Sequence, residues 1–195
     1  MTRPTLADLY IELRSMTEAG TADYTLNGET YWDDDTLHNV LDKHREDIYH
    51  ELLTPVEEVS SGGTAVWKNY YTGYGNLEST SGGTSIFYVQ DAAGDTVGTA
   101  NYSTDYRRGL VAFVQNTGGS TYYFTGRSYD LNAAAADIWR RKASHVANVF
   151  SFSTDNHRVD RGKLHDQYIK MAEMYENRGG NSVTTIQMWR NDTDA

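Results

Sequence analysis

Apolar residues recur at steps of three and four in four separate stretches of this chain. Between the second and third of them the texture changes to short runs of strand type. Leu6, Leu9 with Tyr10, Leu13 and Met16 form one apolar stripe, so the pattern predicts a helix over residues 5–17. Pro4 suits its first turn and Gly20 its end. A polar connector, 21–31, carries the turn signal Asn27-Gly28. A second helix is predicted from Trp32-Asp33-Asp34-Asp35, with Leu37, Val40, Leu41, His44, Ile48 and Leu52 on its buried side. Pro55 sets its limit at Leu53 or Thr54, because the residue before a proline avoids the helical region. The third helix follows Asp130, a capping residue, with Leu131, Ala135, Ile138, Trp139, Ala143, Val146 and Phe150 at helical spacing. Ala133 to Ala136 add helix propensity with almost no bulk, which suits close approach to a neighbour. The fourth, 158–178, places Leu164, Tyr168, Met171, Ala172 and Tyr175 on one face and stops at Gly179-Gly180.

From Val56 to Thr125 the residues are rich in Gly, Thr, Ser and Tyr. Strand-like runs stand at 64–72, 84–90, 96–102, 110–115 and 121–125, separated by turn-forming pieces such as Asp91–Asp95 and Asn116–Ser120. Thr125-Gly126-Arg127 reads as the turn leaving this region. The expected architecture is therefore α+β: a four-helix core from residues 1–55 and 126–180, with a small antiparallel β insertion, 56–125, between helices 2 and 3. An extended C-terminal tail, 181–195, completes it.

Composition narrows the chemistry. There is no cysteine in 195 residues, which removes disulfides, thiolate metal sites and thiol nucleophiles. The N-terminus lacks the apolar region of a signal peptide, and no apolar run reaches the ~18–20 residues needed to span a bilayer. The expectation is a soluble protein made and used in the cytoplasm, with no membrane partner. The net charge of −10 is concentrated: residues 1–60 hold 14 acidic and 4 basic side chains, whereas 126–195 hold 9 and 10. Such a first third keeps a protein soluble and repels a passing nucleic acid.

Motifs that would carry catalysis are not found. His44 and His50 are six residues apart, off the i, i+4 face that helical metal pairs use, and no HExxH pattern occurs. Asp33, Asp34 and Asp35 lack the spacing and glycine of a calcium loop, and their position favours capping a helix N-terminus. Gly62-Gly63, Gly82-Gly83 and Gly118-Gly119 are not followed by the lysine of a phosphate loop. The expectation is a non-enzyme with no catalytic residues, no metal and no cofactor. Arg140 and Arg141, with Lys142, suit an intersubunit ion pair as well as a phosphate contact. The insertion's aromatics, Trp67, Tyr70, Tyr71, Tyr74, Phe87 and Tyr88, make either core and cross-strand pairs or a stacking surface for sugars. A carbohydrate-binding module resting on Trp67 and Tyr71 is the alternative function. The tail segment Val183–Trp189 is β-prone, and docking on a partner, a disordered end and intramolecular packing are all open to it.

Three stretches, LHNVLDKHR at Leu37–Arg45, TDYRRGLVAFV at Thr104–Val114 and above all TGRSYDLNAAAADIW at Thr125–Trp139, resemble the head-to-tail adaptor proteins of long-tailed bacteriophages. KMAEMYENR at Lys170–Arg178 fits the same family. The resemblance implies a ring, of twelve copies, beneath the portal protein, with double-stranded DNA passing through its channel without sequence-specific binding. It implies a stopper or tail-completion protein below, and localisation in the virion neck after assembly in the host cytoplasm. Under it, Val183, Ile186, Met188 and Trp189 would dock the tail on the portal. Ala134, Ala135, Trp139, Arg140 and Arg141 would serve helix or subunit packing, and Asp33, Asp34 and Asp35 are candidates to face the channel.

Overall fold

A computed structural model describes residues 4–21, 23–26, 28–60, 62–81, 83–147, 153–154, 157–158 and 161–178. A 3-10 turn, Pro4–Leu6, leads into α1 (Ala7–Thr17), followed by the hairpin β1 (Tyr24–Leu26) and β2 (Glu29–Tyr31) and by α2 (Asp34–Lys43). Then come β3 (Arg45–Leu52), β4 (Thr54–Val59), β5 (Ala65–Tyr71), β6 (Thr80–Ser81), β7 (Thr84–Ser85), β8 (Tyr88–Asp91), β9 (Tyr102–Asp105), β10 (Leu110–Phe113) and β11 (Tyr122–Tyr129). Helix α3 (Leu131–Ala147), the two-residue strands β12 (Ser153–Thr154) and β13 (His157–Arg158), and α4 (Arg161–Glu176) complete the described order.

The expected four-helix core with a small β insertion is overturned. Between Tyr24 and Tyr129, eleven strands fall in four sheets, and the fold is mixed α+β with substantial β content. The main sheets are antiparallel: β4-β5-β10-β9 and β3-β11-β8. Two buried clusters replace the single helical interior. One joins Leu6, Leu9, Tyr10 and Leu13 of the N-terminal helix with Leu37, Val40 and Leu41 of α2, Leu131, Ala134, Ala135 and Ile138 of α3, and Trp32. The other is built by strands and their loops: Ile48, Leu53, Tyr70, Leu77, Phe87, Val89, Tyr102, Val111, Phe113 and Phe124. Helix α4 is not a fourth equal member. It lies against α3 and adds Tyr175, partly buried, to the edge of the first cluster.

The main departure from expectation lies at residues 44–53. Helix α2 stops at Lys43, and the stretch read as its second half is strand β3, which buries only Ile48. Its backbone is paired with β11 from Arg45↔Tyr129 to Leu52↔Tyr123, so a helix there would leave one side of a central strand unpaired. Pro55 sits near the start of β4, an edge strand, where a missing N–H is tolerated. Thr125-Gly126-Arg127 likewise continues β11 rather than turning out of it, with a bulge between Phe124 and Gly126. A Cβ at Gly126 would stand 3.1 Å from the Phe87 ring, so glycine permits the strand to approach that side chain. Of the short expected runs, 96–102 holds an isolated bridge at Thr96 and a 3-10 turn, Thr99–Asn101, before β9 begins. In the connector, β1 and β2 pair as a hairpin, with Gly28 at φ +86°.

The two clusters meet where β11 passes into α3. The buried Tyr129 hydroxyl donates to Glu78 Oε2 at 2.7 Å, and Asn76 Nδ2 donates to the Tyr129 carbonyl at 3.1 Å. Asp130 Oδ1 then accepts from the backbone N–H groups of Asn132 and Ala133 at 2.9 and 3.0 Å, the cap its position in the sequence implied.

Candidate functional site

Helix α3 organises the helical half. Ala134 and Ala135 are fully buried against α1 and α2, where the absence of side-chain bulk allows the backbones to come close. Trp139 is buried as well. Its indole Nε1 donates to the Met16 carbonyl at 3.2 Å, and its ring lies 5.2 Å from that of Tyr168 on α4. Arg140 is paired with Glu176 of α4, and Arg141 makes a two-pronged contact with Asp137 one turn back, at 3.2 and 3.0 Å. Each of the two arginines thus has a carboxylate within its own chain.

The three candidate channel-facing aspartates have local duties too. Asp33 caps α2, accepting from the Thr36 backbone N–H at 2.8 Å, and its hydrogen bonds to Thr36 hold its carboxyl below the usual range. Asp34 is exposed and pairs with Arg14 of α1 at 2.6 Å, and Asp35 is exposed in the same first turn. More acidic surface lies on β3 and β4, where Glu46, Asp47, Glu51, Glu57 and Glu58 are all exposed. Val183, Ile186, Met188 and Trp189 lie outside the described residues.

The insertion's aromatics go mainly to packing. Tyr70 and Phe87 are buried, and Tyr70 meets Phe113 and Tyr122 edge-on at 5.1 and 5.6 Å. Trp67 packs over Gly119, whose added Cβ would lie 3.7 Å from the indole. Tyr74 leans on Phe124, Tyr88 is half-buried, and Tyr71 is 48% exposed.

Sequence reasoning missed a cleft of about 700 Å³ between the β1–β2 hairpin, the end of α1, the last turns of α3 and the start of α4. Its walls include Tyr24, Leu26, Trp139, Val146, Leu164 and Tyr168, with the carboxylates of Glu18 and Asp23 at the α1 end. Tyr24 stacks on Tyr31 at 5.3 Å, and the His145 ring stands edge-on to both, its Nδ1 hydrogen-bonded to the Tyr24 hydroxyl at 2.5 Å. Burial, then the neighbouring Tyr31, raises the Tyr24 phenol to about 12. Burial, then the charge of Arg141, lowers His145 below its ordinary value.

Lys142 also lines this cleft, with its ammonium turned to the end of α1. Nζ donates to the Thr17 and Glu18 carbonyls at 2.8 and 3.1 Å, lies 3.6 Å from Asp23, and sits 5.2 Å from the Trp139 ring centroid. Burial lowers its pKa, opposed by the Asp23 carboxylate. The last carbonyls of a helix lack partners within it, and a buried cation here supplies them from α3. Only the run Arg140-Arg141-Lys142 hinted at this in the sequence. The helical period turns its third member toward the interior while the first two stay at the surface.

Among the described residues no group of three or more His, Asp or Glu side chains could hold a metal ion, and no helix is long and apolar enough to cross a membrane. Comparison with family models, with curated proteins and with solved structures finds no match for this chain.

Proposed function

We propose that the chain is a head-to-tail adaptor of a long-tailed bacteriophage, a structural subunit that closes into a ring beneath the portal. The ring, of twelve copies, extends the DNA channel and offers a platform for a stopper or tail-completion protein. One observation carries the reading. The stretch with the strongest family resemblance, Thr125–Trp139, is also the spine of the molecule, running from the central strand β11 into α3. Tyr129, Leu131, Ala134, Ala135, Ile138 and Trp139 from that stretch are all buried, so the resemblance falls on the residues that build the fold. The exposed carboxylates of α2, β3 and β4 support the same reading, since a surface of this sign lets DNA slide past without adhering. Assembly then proceeds by repeated heterologous contacts on a portal template, with Val183, Ile186, Met188 and Trp189 as the docking segment.

The test combines the purified chain with the portal from the same genome, read by electron microscopy and co-sedimentation. A ring seated on the portal is the expected result. Deleting Asn181–Ala195 leaves a folded protein that no longer joins the portal. Unchanged portal binding by the shortened chain overturns the docking role, and failure of the full chain to bind the portal overturns the adaptor reading.

A further inference from the structure

We propose that, in the subunit before assembly, the cleft between the β1–β2 hairpin, α3 and α4 holds Met188 and Trp189 of the same chain. The cleft's volume, about 700 Å³, lies within the ~300–1,000 Å³ range of pockets that enclose a small ligand. Its walls suit large apolar and aromatic side chains: Tyr24, Leu26, Trp139, Val146, Leu164 and Tyr168. Leu164, an apolar residue on this wall, is 36% exposed.

The occupant is argued from sequence, reach and charge. Val183-Thr184-Thr185-Ile186-Gln187-Met188-Trp189 has no charge, proline or glycine, and a run of that kind aggregates when left uncovered. A site on its own subunit would protect it until the portal arrives. Arg178, at the end of α4, lines a polar pocket beside Asn132, at the opposite end of α3 from the cleft. From Asn132 to Val146 the helix rises roughly 21 Å, at about 1.5 Å per residue. The eleven residues from Arg178 to Trp189 span up to about 37 Å when extended, which is ample. Arg190 then follows the tryptophan, and the exposed carboxylate of Glu18 stands at the α1 end of the cleft to receive it, Asp23 being held by Lys142 and the Gly20 N–H. Portal docking, on this view, begins with release of the segment from its own cleft.

The experiment uses the full chain with photoreactive benzoylphenylalanine in place of Trp189, at micromolar concentration, as an equal mixture of nitrogen-isotope-labelled and unlabelled protein. Cross-links to Leu26, Val146, Leu164 or Tyr168 within a single isotope population are expected. Peptides of mixed isotope would assign the cleft to a second copy and overturn the proposal, as would cross-links elsewhere or none. Two background variants test the assignment. Leu164→Glu alters the apolar wall, and Glu18→Lys, at an exposed site, repels Arg190. Each is expected to lower the cleft cross-link yield by about tenfold, equivalent to ~1.4 kcal/mol. Yields unchanged in the Glu18→Lys chain would overturn the charge argument even if Leu164→Glu proved poorly folded. The measurement is made on the isolated protein, so its failure leaves portal binding untouched, and failure to bind the portal leaves the cross-links standing.

Discussion

Replacing Lys142 by Met removes a buried ammonium while keeping an unbranched apolar side chain over Trp139, and it isolates what the charge does for the end of α1. Two hydrogen bonds are lost, to the Thr17 and Glu18 carbonyls at 2.8 and 3.1 Å. Thr17 is fully buried, so its carbonyl has no easy access to water, whereas Glu18 is exposed and water can replace the lysine there. A hydrogen bond to a charged group is worth about 1.5–3 kcal/mol, and an orphaned buried acceptor costs a similar amount. Against this, the mutation relieves the desolvation that lowers the lysine's pKa. The balance is a destabilisation of about 2 kcal/mol, or a fall in Tm of roughly 4–8 °C for a chain of this size. Thermal unfolding followed by circular dichroism, with urea melts to obtain the free energy, measures it. A Tm equal to or above that of the parent chain would show that dry packing replaces the cation without loss, and the capping argument would be wrong.

Other substitutions probe the rest of the fold. Ala135→Leu forces bulk between α3 and its neighbours at a fully buried position and is expected to cost about 1–3 kcal/mol in the same melts. Gly109 has φ +66°, and a Cβ there would lie 1.7 Å from the Tyr74 carbonyl oxygen, so Gly109→Ala should cost more than ~3 kcal/mol or prevent folding. Gly63→Ala, also at positive φ but with open space around it, should be much milder in a parallel urea titration. His145 has a lowered folded pKa, so as pH falls through about 6.5 the unfolded chain binds a proton that the folded chain resists. Stability should therefore drop on acidification through that window, and His145→Gln should flatten the slope. Tyr24 is the opposite case at high pH. Its folded phenol keeps the proton to about 12, so stability should decline from pH 10 toward 12, and Tyr24→Phe should remove that part of the decline.

Particular elements show how far local pattern reached. Helix α3 was legible almost residue by residue, because its capping aspartate, alanine run and period of apolar residues all favour the same state. Helices α1 and α4 were legible from the period of their apolar residues, without an alanine run and, in α1, without a side-chain cap. The stretch after Lys43 was not. Its spacing of Leu41, Ile48 and Leu52 fits a continued helix, yet the backbone demand of β11 on a partner made it a strand. The aromatic positions of the insertion were visible, but their assignment to an interior followed only once β4-β5-β10-β9 and β3-β11-β8 enclosed them. Tyr24, Lys142, His145 and Tyr168 come from three separated stretches, and no spacing rule links residues 24 and 145.

The sequence alone determined that helices α1, α3 and α4 exist and that α3 starts after Asp130, whereas α1 starts at Ala7 after a 3-10 turn and α4 at Arg161, past the strand pair that takes up Arg158. It also determined how the acidic charge is distributed and which chemistries the absent cysteines remove. Those properties follow from neighbours along the chain and from composition. Tertiary structure decided that the interior is divided into two clusters, that residues 45–52 pair as a strand, and that a buried lysine closes the end of a helix more than a hundred positions away. Each of these depends on satisfying backbone hydrogen bonds and excluding water between segments that meet only after folding.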